Sequence, residues 1–273
     1  MKKLLLILLC LPMIGFGQTL IPDANFEQAL INLGYDTGSP NGSVPTANIN
    51  TVTYLDVNSL NIADLTGIED FTALTELNCR NNQLTSLDIN QNTALTELQC
   101  QNNQLTSLDV SQNTALTFLD CGYNQITTLD VSQNTALTSF FCWNNQIECL
   151  DVSSNTALVV LECSINLLEQ LNTKNGNFLN MYVNALSNNL PCVEVENIAN
   201  AITNWLFESF TSITTDCNYA NPCNTTSAIE EHSTNKELLK VTDLLGRETK
   251  GTKNEVLFYI YDDGTIEKRI VIN

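Results

Sequence analysis

Leu74, Leu95, Leu116, Leu137 and Leu158 each open a segment that recurs 21 residues later, and this spacing constrains the 273-residue chain more than any other feature. The same columns return in every unit. The first and fourth positions are apolar (Leu74 and Leu77, then Leu137 and Phe140), and the sixth is always cysteine: Cys79, Cys100, Cys121, Cys142 and Cys163. The ninth is asparagine, at Asn82, Asn103, Asn124, Asn145 and Asn166, and the fourteenth is leucine, from Leu87 to Leu171. An irregular unit precedes the set through Val52, Leu55, Val57, Ile62 and Leu65. A fading one follows through Phe178, Met181 and Val183, for about seven coils in all.

Positions four and six alternate toward one side, which is the periodicity of a strand. The strand is short, so the rest of each unit must turn back to begin the next. Units stacked in this way form a parallel ladder in which neighbouring coils bury each other's apolar columns. Where the chain bends out of the strand its backbone groups lose ladder partners, and an inward asparagine amide can replace them. On the far side, Asp-Val-Ser-Gln-Asn-Thr-Ala, beginning at Asp109 and Asp130, has the composition of a turn. Asn113 falls in that turn and is expected at the surface.

The pattern L-x-x-L-x-C-x-x-N-x-L closely resembles the leucine-rich repeat consensus, with cysteine in a column usually filled by leucine. It is most similar to the short bacterial class typified by internalin-like surface proteins. The resemblance covers residues 52–183 and implies a leucine-rich repeat solenoid with a parallel β ladder. Residues 18–51 read as an N-terminal cap, with one amphipathic helix between Pro22 and Gly34, Asp23 at its start and Gly34 past its end. Residues 184–217 read as a C-terminal cap with a short helix around Ile198–Trp205. The ends of a solenoid require such covers.

The two termini read as addresses. Lys2 and Lys3 precede an apolar run over 4–16, and Gly15 and Gly17 follow, the order of a secretory signal peptide cleaved after Gly17. A lipoprotein reading through Cys10 is disfavoured by Leu9 and Pro12. The apolar run is too short to cross a bilayer, which takes about 20 residues, and no later run approaches that length. Residues 218–237 are rich in Asn, Thr, Ser and Pro and read as a linker. Three strand-like runs follow, at 238–242, 256–261 and 266–272, with the turn sequence Asp-Asp-Gly-Thr at 262–265. Asp-x-Leu-Gly-Arg at 243–247 and Asp-Gly-Thr-x-Glu-Lys-Arg at 263–269 resemble the type A sorting domain of type IX secretion, in a short form. That resemblance implies a small all-β domain at 238–273, the type IX secretion machinery as a partner, and a Gram-negative source. It also implies passage through the periplasm to a secreted or outer-surface location.

Composition narrows the function classes. Thirty Asp and Glu against eleven Lys and Arg give a formal charge of −19, which repels nucleic acid and anionic membranes. A single histidine, His232 in the linker, and the absence of G-x-S-x-G, H-E-x-x-H or a phosphate loop argue against an enzyme. No cofactor and no metal is expected. Asp88, Asp109, Asp130 and Asp151 form a column, but they lack the clustered spacing of a calcium loop. The repeat cysteines read as small buried hydrophobes, because strands about 4.8 Å apart are too widely spaced for stacked cysteines to bridge. Cys149 shares a column with Ser86, Ser107, Thr128 and Gln170 and is expected to be exposed. A bridge between Cys192 and Cys217 is expected around the C-terminal cap, with Cys223 as the alternative partner.

Strand alternation sends the third, fifth, seventh and eighth positions of each unit outward. Most are Asn, Gln, Glu or Ser, but two adjacent units place Phe118, Tyr123, Phe141 and Trp143 there, with Asp120 and Glu162 beside them. Aromatic side chains at the centre of a ladder are typical interface anchors. These six residues form the candidate ligand site, for a protein or a glycan. The other reading is a structural component of the cell envelope, in which the aromatics only pack on one another.

Overall fold

Asp23 sets the entry to the solenoid. The computed structural model describes residues 17–177, 179–209, 211–217 and 223, and the backbone of strands at 238–242, 256–261 and 266–270. The expected leader, Phe178, the linker apart from Cys223, and the segments 243–247 and 262–265 lie outside the described residues. The first strand, β1 (Gln18–Leu20), pairs antiparallel with β2 (Ser43–Pro45), and helix α1 (Ala24–Asn32) lies between them in sequence. One carboxylate oxygen of Asp23 accepts the Asn25 and Phe26 N–H groups at the start of α1. The other accepts the Ala63 and Asp64 N–H groups of the first coil. Gly34, in the left-handed region at φ 84°, ends the helix as the sequence suggests. Glu27 is buried because both its oxygens accept loop N–H groups, from Asn41 at 2.6 Å and Gly42 at 2.7 Å.

After helix α2 (Thr46–Ile49) the ladder begins. Strands β3 (Tyr54–Asp56), β4 (Glu76–Asn78), β5 (Glu97–Gln99), β6 (Phe118–Asp120) and β7 (Ser139–Phe141) pair in parallel and in register. Next in sequence is β8 (Cys149–Asp151), which belongs to a different sheet. The ladder continues with β9 (Val160–Glu162) and, after β10 (Gln170–Asn172), with β11 (Tyr182–Asn184), making seven strands. Strands β8, β10, β12 (Cys192–Glu194) and, past helix α3 (Ile198–Asn204), β13 (Ser212–Thr214) form a second parallel sheet, which the repeat pattern does not disclose. Inside the coils the apolar columns fill the interior: Leu77, Leu98, Leu119, Phe140 and Leu161 are all at most 1% exposed.

The ninth-position asparagines close the bends. Asn124 donates to the Cys100 and Cys121 carbonyls at 3.1 and 3.0 Å and accepts the Leu105 N–H at 3.0 Å. Asn103, Asn145 and Asn166 repeat the pattern one coil apart. The far-side turn differs from expectation. Asn113 is fully buried and donates to the Ile89 and Asn92 carbonyls at 3.1 and 2.9 Å, and Asn92, Asn134 and Asn155 are buried with it. A turn of this tightness folds its asparagine under the backbone, so the solenoid has two amide ladders. The aspartates of the far side are turn formers, with Asp109 and Asp151 accepting the Ser111 and Ser153 N–H groups.

The five column cysteines are buried and unpaired. Cys192 is bonded to Cys217. Cys149 is half-buried rather than exposed and is bonded to Cys223, so the residue that was the alternative partner at the cap joins an earlier coil. The segment 226–273 forms a second compact unit. Its strands β14 (Leu238–Thr242), β15 (Val256–Tyr261) and β16 (Ile266–Ile270) make an antiparallel three-stranded sheet with β15 central.

Candidate functional site

The seven-stranded ladder presents its outward columns on one face, and parallel register decides which side chains meet there. Asp120 of β6 lies beside Phe141 of β7, and Phe141 lies beside Glu162 of β9. The Phe118 and Phe141 rings pack at 5.5 Å, while Tyr123 and Trp143 meet edge-on at 4.4 Å. The four aromatics therefore form two contacting pairs across one coil boundary. Phe118, Phe141 and Trp143 are half-buried, and Tyr123 is 47% exposed.

Gly122 makes room for this arrangement. A Cβ built on it would stand 2.5 Å from the indole Nε1 of Trp143, so the ring lies against the bare backbone of the neighbouring coil. The Gly122 N–H also donates to an Asp120 oxygen at 3.1 Å. Burial pushes the Asp120 carboxyl above the ordinary carboxylate range, against the opposing effects of that hydrogen bond and of the Arg80 charge. Glu162 is placed differently. It accepts the Ser164 hydroxyl at 2.6 Å on one oxygen and the Asn184 amide at 2.9 Å on the other.

The eighth column, which holds Tyr123, adds a residue outside the candidate six. The backbone there is left-handed in every coil: φ is 56° at Asn81, 57° at Asn102, 51° at Tyr123, 53° at Asn144 and 55° at Ile165. Asparagine tolerates this region, whereas a β-branched residue rarely adopts it. Ile165 is nevertheless 48% exposed, so neither burial nor backbone preference accounts for an isoleucine at that position. Val160 and Tyr182 extend the apolar stripe, paired across β9 and β11. Tyr182 escapes a 21-residue ruler because the repeat slips there: Val160 pairs with a residue 22 positions on.

Comparison with known proteins agrees with this geometry. A model of two-copy leucine-rich repeats matches residues 93–134. The same fold recurs in the functional domain of InlJ from Listeria monocytogenes, described as including a cysteine ladder. That domain is 32% identical with a TM-score of 0.55, over 72% of this chain and 48% of that one. This chain is a leucine-rich repeat solenoid. Internalin J of the same organism is 52% identical over 42 residues, which are 15% of this chain and 5% of that protein. The solenoid thus spans about half of the InlJ structure and a small part of the full-length relative. The internalin InlF (20% identity, TM-score 0.54, 71% of each chain) and a leucine-rich repeat protein of Leptospira interrogans share the fold. The latter is 24% identical with a TM-score of 0.54, over 61% of this chain and 45% of that one.

Among the described residues no group of three or more His, Cys, Asp or Glu side chains is placed to hold a metal ion, and no helix is long and apolar enough to cross a membrane.

Proposed function

We propose that this internalin-like protein is exported and then displayed or released outside the cell, where the ladder face centred on Phe118, Tyr123, Phe141 and Trp143 binds a protein or glycan. The aromatic cluster carries the reading: four large rings occupy outward positions on two adjacent coils where the other coils hold mainly polar residues. Ile165, exposed on an unfavourable backbone, supports it, because side chains that weaken the fold without being buried are commonly kept for contact. The export half rests on the leader-like residues 1–17 and on the resemblance of 238–273 to a type IX sorting domain.

Two experiments test the halves separately. Glycan and protein arrays probed with the wild type and with Phe141→Ala should yield a ligand that the variant fails to hold. A ligand retained equally by the variant would end the face assignment. Deleting 238–273 should leave a folded solenoid in the periplasm, and its appearance at the surface or in the medium would refute the sorting role.

A further inference from the structure

The aromatic cluster surrounds a carboxylate. Asp120 has Phe118 two residues before it on the same strand and Phe141 beside it in register, and Trp143 lies over the adjacent Gly122. Its hydrogen bond within the chain comes from the Gly122 N–H, and among the described residues no ion pair reaches it. A carboxylate offers about four acceptor positions, so Asp120 keeps acceptor capacity. Glu162 has both oxygens engaged, by Ser164 and Asn184, and so keeps less acceptor capacity than Asp120. The two carboxylates, alike in sequence, are thus unlike in what they can accept.

The surrounding charge points the same way. Residues 18–217 contain 21 Asp and Glu but only two cations, Arg80 and Lys174. Lys174 is paired with Glu194 at 3.1 Å. Arg80 stands two coils from Gly122, about 10 Å away at ladder spacing. A half-buried carboxylate flanked by aromatic rings, whose nearest cation, Arg80, makes no ion pair with it, is suited to a positively charged side chain. The carboxylate supplies the countercharge, and the ring faces supply cation–π attraction.

Building on the binding reading given above, we propose that the Asp120 site receives an arginine or lysine side chain from a protein partner, with Phe118, Phe141 and Trp143 as its walls. The occupant is a basic protein segment. A neutral glycan can donate hydroxyls to the carboxylate but brings no countercharge, and nucleic acid is repelled by it. The site then acts as the specificity element of the face: a purely apolar segment covering the rings would leave Asp120 desolvated and unpaired, which is costly.

Trp143 provides the readout, since the other tryptophan, Trp205, is buried and donates its indole N–H to the Met181 carbonyl. The full chain is titrated with acetyl-Gly-Arg-Gly-amide and with the same peptide carrying citrulline, which keeps the shape and removes the charge. The arginine peptide should change Trp143 emission saturably, and citrulline should weaken the midpoint by roughly tenfold or more. Asp120→Asn should weaken the arginine peptide by a similar factor. Asp109→Asn, which removes the same charge from the far side, should leave it within about twofold. Equal binding of arginine and citrulline, or equal behaviour of the two Asp variants, would overturn the assignment. If an array ligand still required Phe141 while Asp120→Asn had no effect, the charge assignment alone would fall and the binding face would stand.

Discussion

The indole of Trp143 fills the space that a side chain at Gly122 would need, with its Nε1 2.5 Å from the position of a Cβ there. Gly122→Ala should therefore displace the ring, disturb its edge contact with Tyr123 and cost about 1–3 kcal/mol, as overpacking does. Trp143 emission and urea unfolding would check this. An unmoved emission spectrum would mean that the ring does not rest on Gly122.

The two amide ladders predict similar losses. Asn124→Leu leaves the Leu105 N–H unpaired and removes one of the two donors at each of the Cys100 and Cys121 carbonyls, and Asn113→Leu removes the amide donor at the Ile89 and Asn92 carbonyls, which keep the Asn92 and Leu95 N–H groups. Each should cost on the order of 1–3 kcal/mol. Denaturant midpoints showing a silent Asn113→Leu would return that residue to the surface turn.

The repeat architecture is legible in the columns, because coil-on-coil packing forces one residue type at each inward position. The ends of helix α1 follow from Asp23 and Gly34, which are local capping signals. The burial of Asn113 is not legible, since an asparagine in a turn sequence can face either side until the turn closes. The bond between Cys149 and Cys223 joins residues 74 positions apart, and no local pattern marks it. At the site, alternation finds the four aromatics and both carboxylates. It cannot show that Asp120 retains more acceptor capacity than Glu162, which depends on Ser164 turning back and Asn184 reaching across from the next coil. Tyr182 was hidden by a one-residue slip in the period.

The cysteine column gives a pH prediction. Burial raises the Cys79 thiol to about 12 and holds Cys100, Cys121, Cys142 and Cys163 well above their ordinary value. Folded thiols keep their protons where unfolded ones, with pKa about 8.5, release them. Stability should be fully present below that value and fall as pH rises from there toward 12, by up to about 1 kcal/mol per pH unit for each thiol. Iodoacetamide at mildly alkaline pH should leave these five unmodified in the native protein and label all five in urea. Labelling of the folded chain, read by mass spectrometry, would place the column within solvent reach.

Ile165→Asn replaces a residue unsuited to left-handed backbone with one that tolerates it. The change should stabilise the solenoid by about 1 kcal/mol. If the residue belongs to the contact surface, affinity for an array-identified ligand should fall as stability rises. Calorimetry and a binding titration on one preparation would give both numbers.

The binding face itself is tested most directly by Trp143→Ala, measured for ligand affinity and melting temperature together. The ring is half-buried, and its contact with Tyr123 contributes about 1 kcal/mol. The melting temperature should therefore drop by only a few degrees, about 2–4 °C per kcal/mol in a domain of this size. Affinity should fall by at least the ~2 kcal/mol typical of an aromatic anchor. Unchanged affinity would remove the face from the account, and a collapse of the melting temperature would show that the aromatics serve the fold instead.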